Sequence, residues 1–158
     1  MATALKEVQT DSGANILTIL EEKDAIGDLL SEYCFHVDNG DYEDWINLFT
    51  ADGAFVAGPM GTNKGHEALT TFAAKALPAK GEGNGMKHCT MNSMIKVNGD
   101  EASAESYIVL VAGSPESDGG TTTPLAGRYR DKLRKVNGQW RFAEREVLFD
   151  ILGELKLK

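Results

Sequence analysis

Side chains able to move protons near neutral pH are scarce in this sequence. Its 158 residues hold three histidines, His36, His66 and His88, and two cysteines, Cys34 and Cys89. Imidazole is the side chain that titrates near neutrality without a large perturbation. When a carboxylate accepts its Nδ1 proton, the ring keeps one tautomer, and the other nitrogen can take a proton from carbon or oxygen. Asp38 and His88 are the candidates for such a pair. Asp38 lies four residues after Cys34 and eight after Leu30, so it continues an apolar helical ladder. There it is either a helix-end surface charge or a buried group with a partner. His88 opens the segment HCTMNSM, where a two-residue period puts His88, Thr90, Asn92 and Met94 on one face. A polar strand face opposite a helical carboxylate suits a small pocket.

The elements that must position this pair follow from periodicity and turn signals. Residues 1–15 are polar and expected to fray, leaving a single domain over 16–158. Ile26, Leu29, Leu30, Tyr33 and Val37 recur at helical steps, and Asn39-Gly40 ends that helix. A short helix, DYEDWINLF, follows, with Asp41 as its expected N-cap and Trp45, Leu48 and Phe49 on one side. Asp52-Gly53 reads as a turn and AFVAG as a strand. HEALTTFAAKAL is a third helix that Pro78 stops, and the glycine-rich stretch 79–85 is a loop expected to be mobile. Four strand-like segments complete the chain: HCTMNSMIKV, ASAESYIVLVAG, LAGRYRDKLRKV and QWRFAEREVLFDIL, with SPESDGGTTTP as a polar loop. Asn-Gly pairs at 98–99 and 137–138 mark hairpins. Three helices around one early strand, then a four-strand antiparallel meander, define an α+β class with helices on one face of a curved sheet.

Composition removes several function classes. Lys and Arg number 16 against 24 Asp and Glu, a net charge of −8, which is wrong for tracking phosphate backbones. The KLRK run at 132–135 is too short to change that. No CxxC, HxH or HExxH spacing supplies a local metal site, and GEGNG at 81–85 is too loose a match for a phosphate loop, so neither metal nor cofactor is expected. The N-terminus lacks a secretory pattern and no apolar run is long enough to span a bilayer. The expectation is a cytoplasmic protein whose two cysteines are free and buried, with no membrane or nucleic-acid partner.

The motifs EYCFHVDNGDYEDWINLFTADGAF, KGHEAL, KHCTMN and GRYRDKLRKVNGQWRFAER together resemble the SnoaL-like branch of the NTF2-like superfamily, over about residues 20–150. Within that branch the chain is most similar to cofactor-free lyases: hexachlorocyclohexane dehydrochlorinase, scytalone dehydratase and bile-acid dehydratase. The resemblance implies a cone-shaped α+β barrel with an open apolar mouth. It also implies that Asp38 and His88 are the catalytic pair, that Tyr33 matches a tyrosine one helical turn before the aspartate, and that Arg145 matches an arginine holding the leaving group. Scytalone dehydratase's second histidine has no counterpart here, and the arginine of the bile-acid enzymes falls near Phe149. Relatives are trimers or dimers, so a homo-oligomer is implied.

The remaining candidates follow from facing. Strand parity puts Trp140 and Phe142 opposite Arg141, Ala143, Arg145 and Val147. Arg145 is then either paired with a surface glutamate or a pocket cation placed where negative charge develops. Asn92 either binds a substrate oxygen or satisfies backbone groups, and Tyr107 and Tyr129 pack along the barrel or touch substrate. Trp45, Phe55, Met60 and Phe72 build the core and cavity wall. His36 and His66 read as surface residues. The expected function is cofactor-independent elimination, water first, or isomerisation of a small hydrophobic cyclic or aromatic molecule. The alternative is a non-catalytic subunit of a ring-hydroxylating oxygenase or a ligand-binding domain, roles the same fold also fills.

Overall fold

The computed structural model describes residues 16–77, 85–113 and 121–152. The expected fraying of residues 1–15 and most of the glycine-rich loop at 79–85 lie outside them. The order of elements is α1 (Ile16–Asn39), α2 (Tyr42–Asn47), β1 (Phe49–Val56), a 3-10 turn (Gly58–Met60), β2 (Thr62–Lys64), α3 (His66–Ala76), β3 (Met86–Asn98), β4 (Glu101–Gly113), β5 (Thr121–Val136) and β6 (Gln139–Leu152). The strands form one sheet in the order β2-β1-β6-β5-β4-β3. All neighbours are antiparallel except β1 and β6, which run parallel. The fold is α+β, with helices on a curved sheet as expected. The sheet does not close on itself: β2 and β3 are its two edges, and α1 lies against β3.

Local chemistry explains the element ends. Gly40 takes φ +71 after α1, and the Asp41 N–H reaches back to the His36 carbonyl at 2.9 Å. That 6→1 bond is the Schellman closure a left-handed residue permits. Asp41 does occupy the N-cap position of α2, but its side chain makes no capping hydrogen bond; it lies 3.7 Å from His36 Nδ1 instead. At the β5–β6 hairpin Asn137 and Gly138 take φ +52 and +80, the left-handed pair of a two-residue type I′ loop between Val136 and Gln139.

Among the register shifts of the sheet, three bear on the expected turns and facings. Asp52-Gly53 does not turn the chain; it lies inside β1, where the register to β6 shifts between Phe49 and Ala54. In β3 the register to β4 shifts between Met91 and Met94, and Asn92 takes φ +55. Between β5 and β6, Lys132 pairs with Glu144 but Leu133 pairs with Phe142, leaving Ala143 over. The shift in β1, four residues against one, is a wider irregularity; the other two are one-residue β-bulges, each of which bends its strand and reverses the facing beyond it. The inner face therefore carries Trp140 and Phe142 together with Arg145 and Val147, all buried. This corrects the expectation that Phe142 and Arg145 face opposite ways.

The core lies between α1, α2 and that inner face. Ile26, Leu29, Leu30, Tyr33 and Val37 form the buried stripe of α1. Tyr33 packs against Phe142 and Tyr129 with ring centroids 5.8 Å from each. No helix among the described residues is long and apolar enough to cross a membrane.

Candidate active site

Asp38 is in the last turn of α1, where the helix dipole disfavours a carboxylate, and it is only 5% exposed. It stays there because His88 supplies the compensating donors. The ring Nδ1 of His88 is 2.7 Å from Asp38 Oδ1. The backbone N–H of the same histidine donates to both carboxylate oxygens, at 3.2 and 3.1 Å. Because β3 is an edge strand, that N–H would otherwise have no strand partner on this side. Lys87 Nζ adds a cation 4.0 Å from Asp38 Oδ2, on a side chain that is itself largely exposed. One turn back along α1, Cys34 Sγ meets Thr90 Oγ1 at 3.2 Å, a second tie between helix and edge strand. Burial pushes the Cys34 thiol above its usual pKa, and both cysteines are free.

With Nδ1 engaged, Nε2 is the nitrogen of His88 left for chemistry. His88 lines a cavity of about 180 Å³ between the helices and the sheet. Its wall is apolar, with Trp45, Phe55, Phe72, Ile108 and Leu110 among its members. Tyr33 and Tyr129 also line it. Burial raises the Tyr33 hydroxyl to a pKa of about 12, with Arg145 pulling the other way, and Tyr129 is raised well above its ordinary value for the same first reason. Both phenols stay protonated at neutral pH. Of the other expected wall residues, Met60 reaches the cavity although it is 59% exposed.

Arg145 faces inward and is fully buried, but it is not a free pocket cation. Its Nε and Nη2 donate to Asp131 Oδ1 and Oδ2 at 2.9 and 3.0 Å. Its Cζ sits 4.1 Å from the Tyr33 ring centroid and 3.9 Å from that of Tyr129. The guanidinium thus stacks on two rings that form the cavity wall, and neither it nor Asp131 lines the cavity itself. Burial would lower the guanidinium pKa; Asp131 more than offsets this and leaves it above its ordinary value. Asp131 was missed from sequence. Its signal was the alternation Tyr129, Asp131, Leu133, which sets a carboxylate on the apolar face of β5.

Two expected contacts fail. Asn92 is exposed because it is the bulged residue of β3, so the polar face predicted to run from His88 to Met94 ends at the bulge; Met94 is 64% exposed. Tyr107 is 52% exposed on the outer face of β4, the face opposite Ser106 and Ile108. His36 and His66 stay away from the cavity as expected, but both are half-buried, and His66 Nε2 donates to the Phe49 carbonyl at 3.3 Å. Among the described residues no group of three His, Cys, Asp or Glu side chains is placed to hold a metal.

The SnoaL-like domain family matches residues 18–146. Among curated proteins none matches. A Mycobacterium tuberculosis protein of unknown function, Rv3472 in an aspartate-to-asparagine variant, is 28% identical, with 90% of this chain and 79% of that one covered and a TM-score of 0.75. A protein from Novosphingobium aromaticivorans proposed to be a scytalone dehydratase is 25% identical over 91% of this chain and 94% of its own, TM-score 0.72. The hexachlorocyclohexane dehydrochlorinase LinA-type3 of Novosphingobium barchaimii shares the fold at 18% identity, TM-score 0.74, covering 89% and 94% of the two chains. With four-fifths of its length matched by one family, this chain is a member of the SnoaL-like domain family.

Proposed function

We propose that this chain is a cofactor-independent lyase, or an isomerase built from the same parts, acting on a small hydrophobic cyclic or aromatic molecule. The observation that carries this reading is a histidine locked by a carboxylate at 2.7 Å on the wall of an apolar cavity. His88 Nε2 takes a proton from carbon. The C–H electron pair becomes the new double bond, and the leaving group departs with its own bonding pair. Asp38 holds the tautomer and stabilises the imidazolium. Tyr33 and Tyr129 are the donors available to a leaving oxygen or a developing oxyanion. Elimination of water is the first choice, and the relative proposed to be a scytalone dehydratase supports it. Loss of halide and double-bond migration need the same groups.

The test is a screen of hydroxylated and halogenated cyclic compounds for loss of water or halide without added cofactor. For whichever compound turns over, His88→Ala is expected to lose about 10²- to 10⁴-fold in rate, the usual worth of a positioned general base. Asp38→Asn loses rate as well while the protein stays folded by circular dichroism. Equal activity in either variant removes the dyad mechanism. Absence of turnover together with stable co-purification of a larger oxygenase subunit favours the non-catalytic alternative.

A further inference from the structure

His88 sits on the last strand of the sheet, and the regular part of that strand is short. From Met86 to Met91, β3 pairs residue for residue with β4, and the register then shifts before Met94. His88 and Thr90 belong to this regular stretch, with β4 on one side and α1 on the other. On the α1 side, Asp38 accepts from the His88 backbone N–H, and four residues earlier Cys34 Sγ meets Thr90 Oγ1 at 3.2 Å. The spacings match. Four helical residues advance about 6 Å and two strand residues about 6.8 Å, so one helix face can meet alternate residues of a strand running the other way.

The donors can be assigned. Cys34 Sγ is 3.5 Å from the Leu30 carbonyl one turn back, and that oxygen takes the thiol proton. The Thr90 hydroxyl is then the donor to sulfur. Burial raises the Cys34 pKa, and the Thr90 hydroxyl is the first group to pull against it. Cys34 stays a neutral thiol, which suits hydrogen bonding and not nucleophilic attack.

The surroundings give this contact a role. A groove between α1 and β3 is lined by Ser31, Cys34, Cys89, Thr90 and Ser93. His88 borders both the groove and the apolar cavity, whereas Asp38 lines neither. If β3 parted from α1 along the groove, water would compete for the Asp38 carboxylate and the His88 donors.

On the reading that Asp38 and His88 are the working pair, we infer that Cys34 and Thr90 are positioning residues for it: their contact clamps β3 to α1 and keeps His88 in line with Asp38. Neither lines the cavity, so both act through His88.

Amide hydrogen exchange and imidazole NMR on the full chain test this without a substrate. Thr90→Val keeps the shape and removes the donor, Thr90→Ser keeps the donor, and Cys34→Ala removes the acceptor from the helix side. Thr90→Val and Cys34→Ala are each expected to speed exchange of the His88 backbone amide about fivefold, the worth of one neutral hydrogen bond. The amides of Ile26 in α1 and Tyr129 in β5 change by less than about twofold, because the opening is local. Thr90→Ser restores the wild-type rate. The double variant is no faster than either single one, since both remove the same contact. The His88 Nδ1 proton gives a resolved signal in wild type and Thr90→Ser, and exchange with water broadens it in Thr90→Val and Cys34→Ala. Should one of those two variants not fold, the other decides. An unchanged His88 amide, additive effects in the double variant, Thr90→Ser as fast as Thr90→Val, equal acceleration at Ile26 and Tyr129, or a sharp Nδ1 signal throughout overturns the inference. None of these results depends on turnover: the His88 amide can respond while His88→Ala proves inert on the rate, and it can stay unchanged while the dyad is upheld.

Discussion

A buried charge survives where its partners are fixed, and two carboxylates here show two ways of fixing them. Asp38 is held by the ring and the backbone of a single residue, so it orients His88 and anchors the edge of the sheet in one contact. Its position was legible because an aspartate on an apolar helical stripe is expensive unless paired, and the His88 strand was the available donor. Asp131 is held by Arg145, its direct cross-strand neighbour. That pairing was not legible, because the register of β5 against β6 depends on which residue is left over opposite Lys132 and Leu133. The pair predicts an asymmetry. Asp131→Asn leaves a fully buried guanidinium with no countercharge and is expected to cost about 3–5 kcal/mol of stability. The double variant Asp131→Leu with Arg145→Met removes both charges and is expected to recover most of that loss. Urea unfolding followed by circular dichroism checks both; a single variant as stable as the double one refutes the prediction.

At the scale of elements, what the sequence announces is what short-range physics decides. The helical stripe of α1, the Gly40 cap and the two Asn-Gly hairpins rest on contacts within a few residues, and each appears where periodicity puts it. Bulges do not announce themselves. Asn92 tolerates the left-handed backbone with no glycine to mark it, and Ala143 is ordinary in every local respect, yet each reverses the facing of its strand. That is why His88, upstream of its bulge, faces Asp38 as the two-residue period puts it, while Asn92, at the bulge, does not. A long-range clamp was equally invisible: Glu22 on α1 accepts from Lys135 Nζ at 2.5 Å and from Trp140 Nε1 at 2.6 Å, fastening the helix to the β5–β6 hairpin. The Lys135 bond first, then that of Trp140, holds the Glu22 carboxyl below its usual pKa. A carboxylate depressed on folding stabilises the protein above its unfolded pKa, near 4.5, and this contribution disappears as pH falls through the folded value. Glu22→Gln is therefore expected to be less stable than wild type at pH 7, by about 1–2 kcal/mol for two charge-assisted bonds. The gap should narrow at pH 3. Denaturant midpoints at the two pH values decide it, and a gap that is constant or wider in acid refutes the assignment.

For the molecule as a whole, the unfilled centre has to be reconciled with an otherwise close-packed fold. The inner face of the sheet and the stripe of α1 supply a continuous aromatic core, yet they stop short of filling the space beside His88. The apolar side chains on the wall of that open pocket keep surface that packing would otherwise cover. At the β5 irregularity Gly127 permits the close approach of β6, since a Cβ there would stand 2.1 Å from the Leu148 carbonyl oxygen. A fold that keeps such a pocket should gain stability when it is filled and lose whatever the pocket serves. Leu110 is on the cavity wall and half-buried, so a larger ring at that position extends into open space rather than into packed neighbours. Leu110→Phe is expected to stabilise the chain by up to about 1 kcal/mol, the scale of a cavity-filling substitution. The same variant should slow turnover of whichever compound the elimination screen finds by more than about tenfold, because the added ring occupies the place of the substrate. Thermal unfolding and activity measured on the same preparation test the two halves together. A variant that is destabilised and still turns that compound over normally would show that the space beside His88 is neither a packing deficit nor a substrate site.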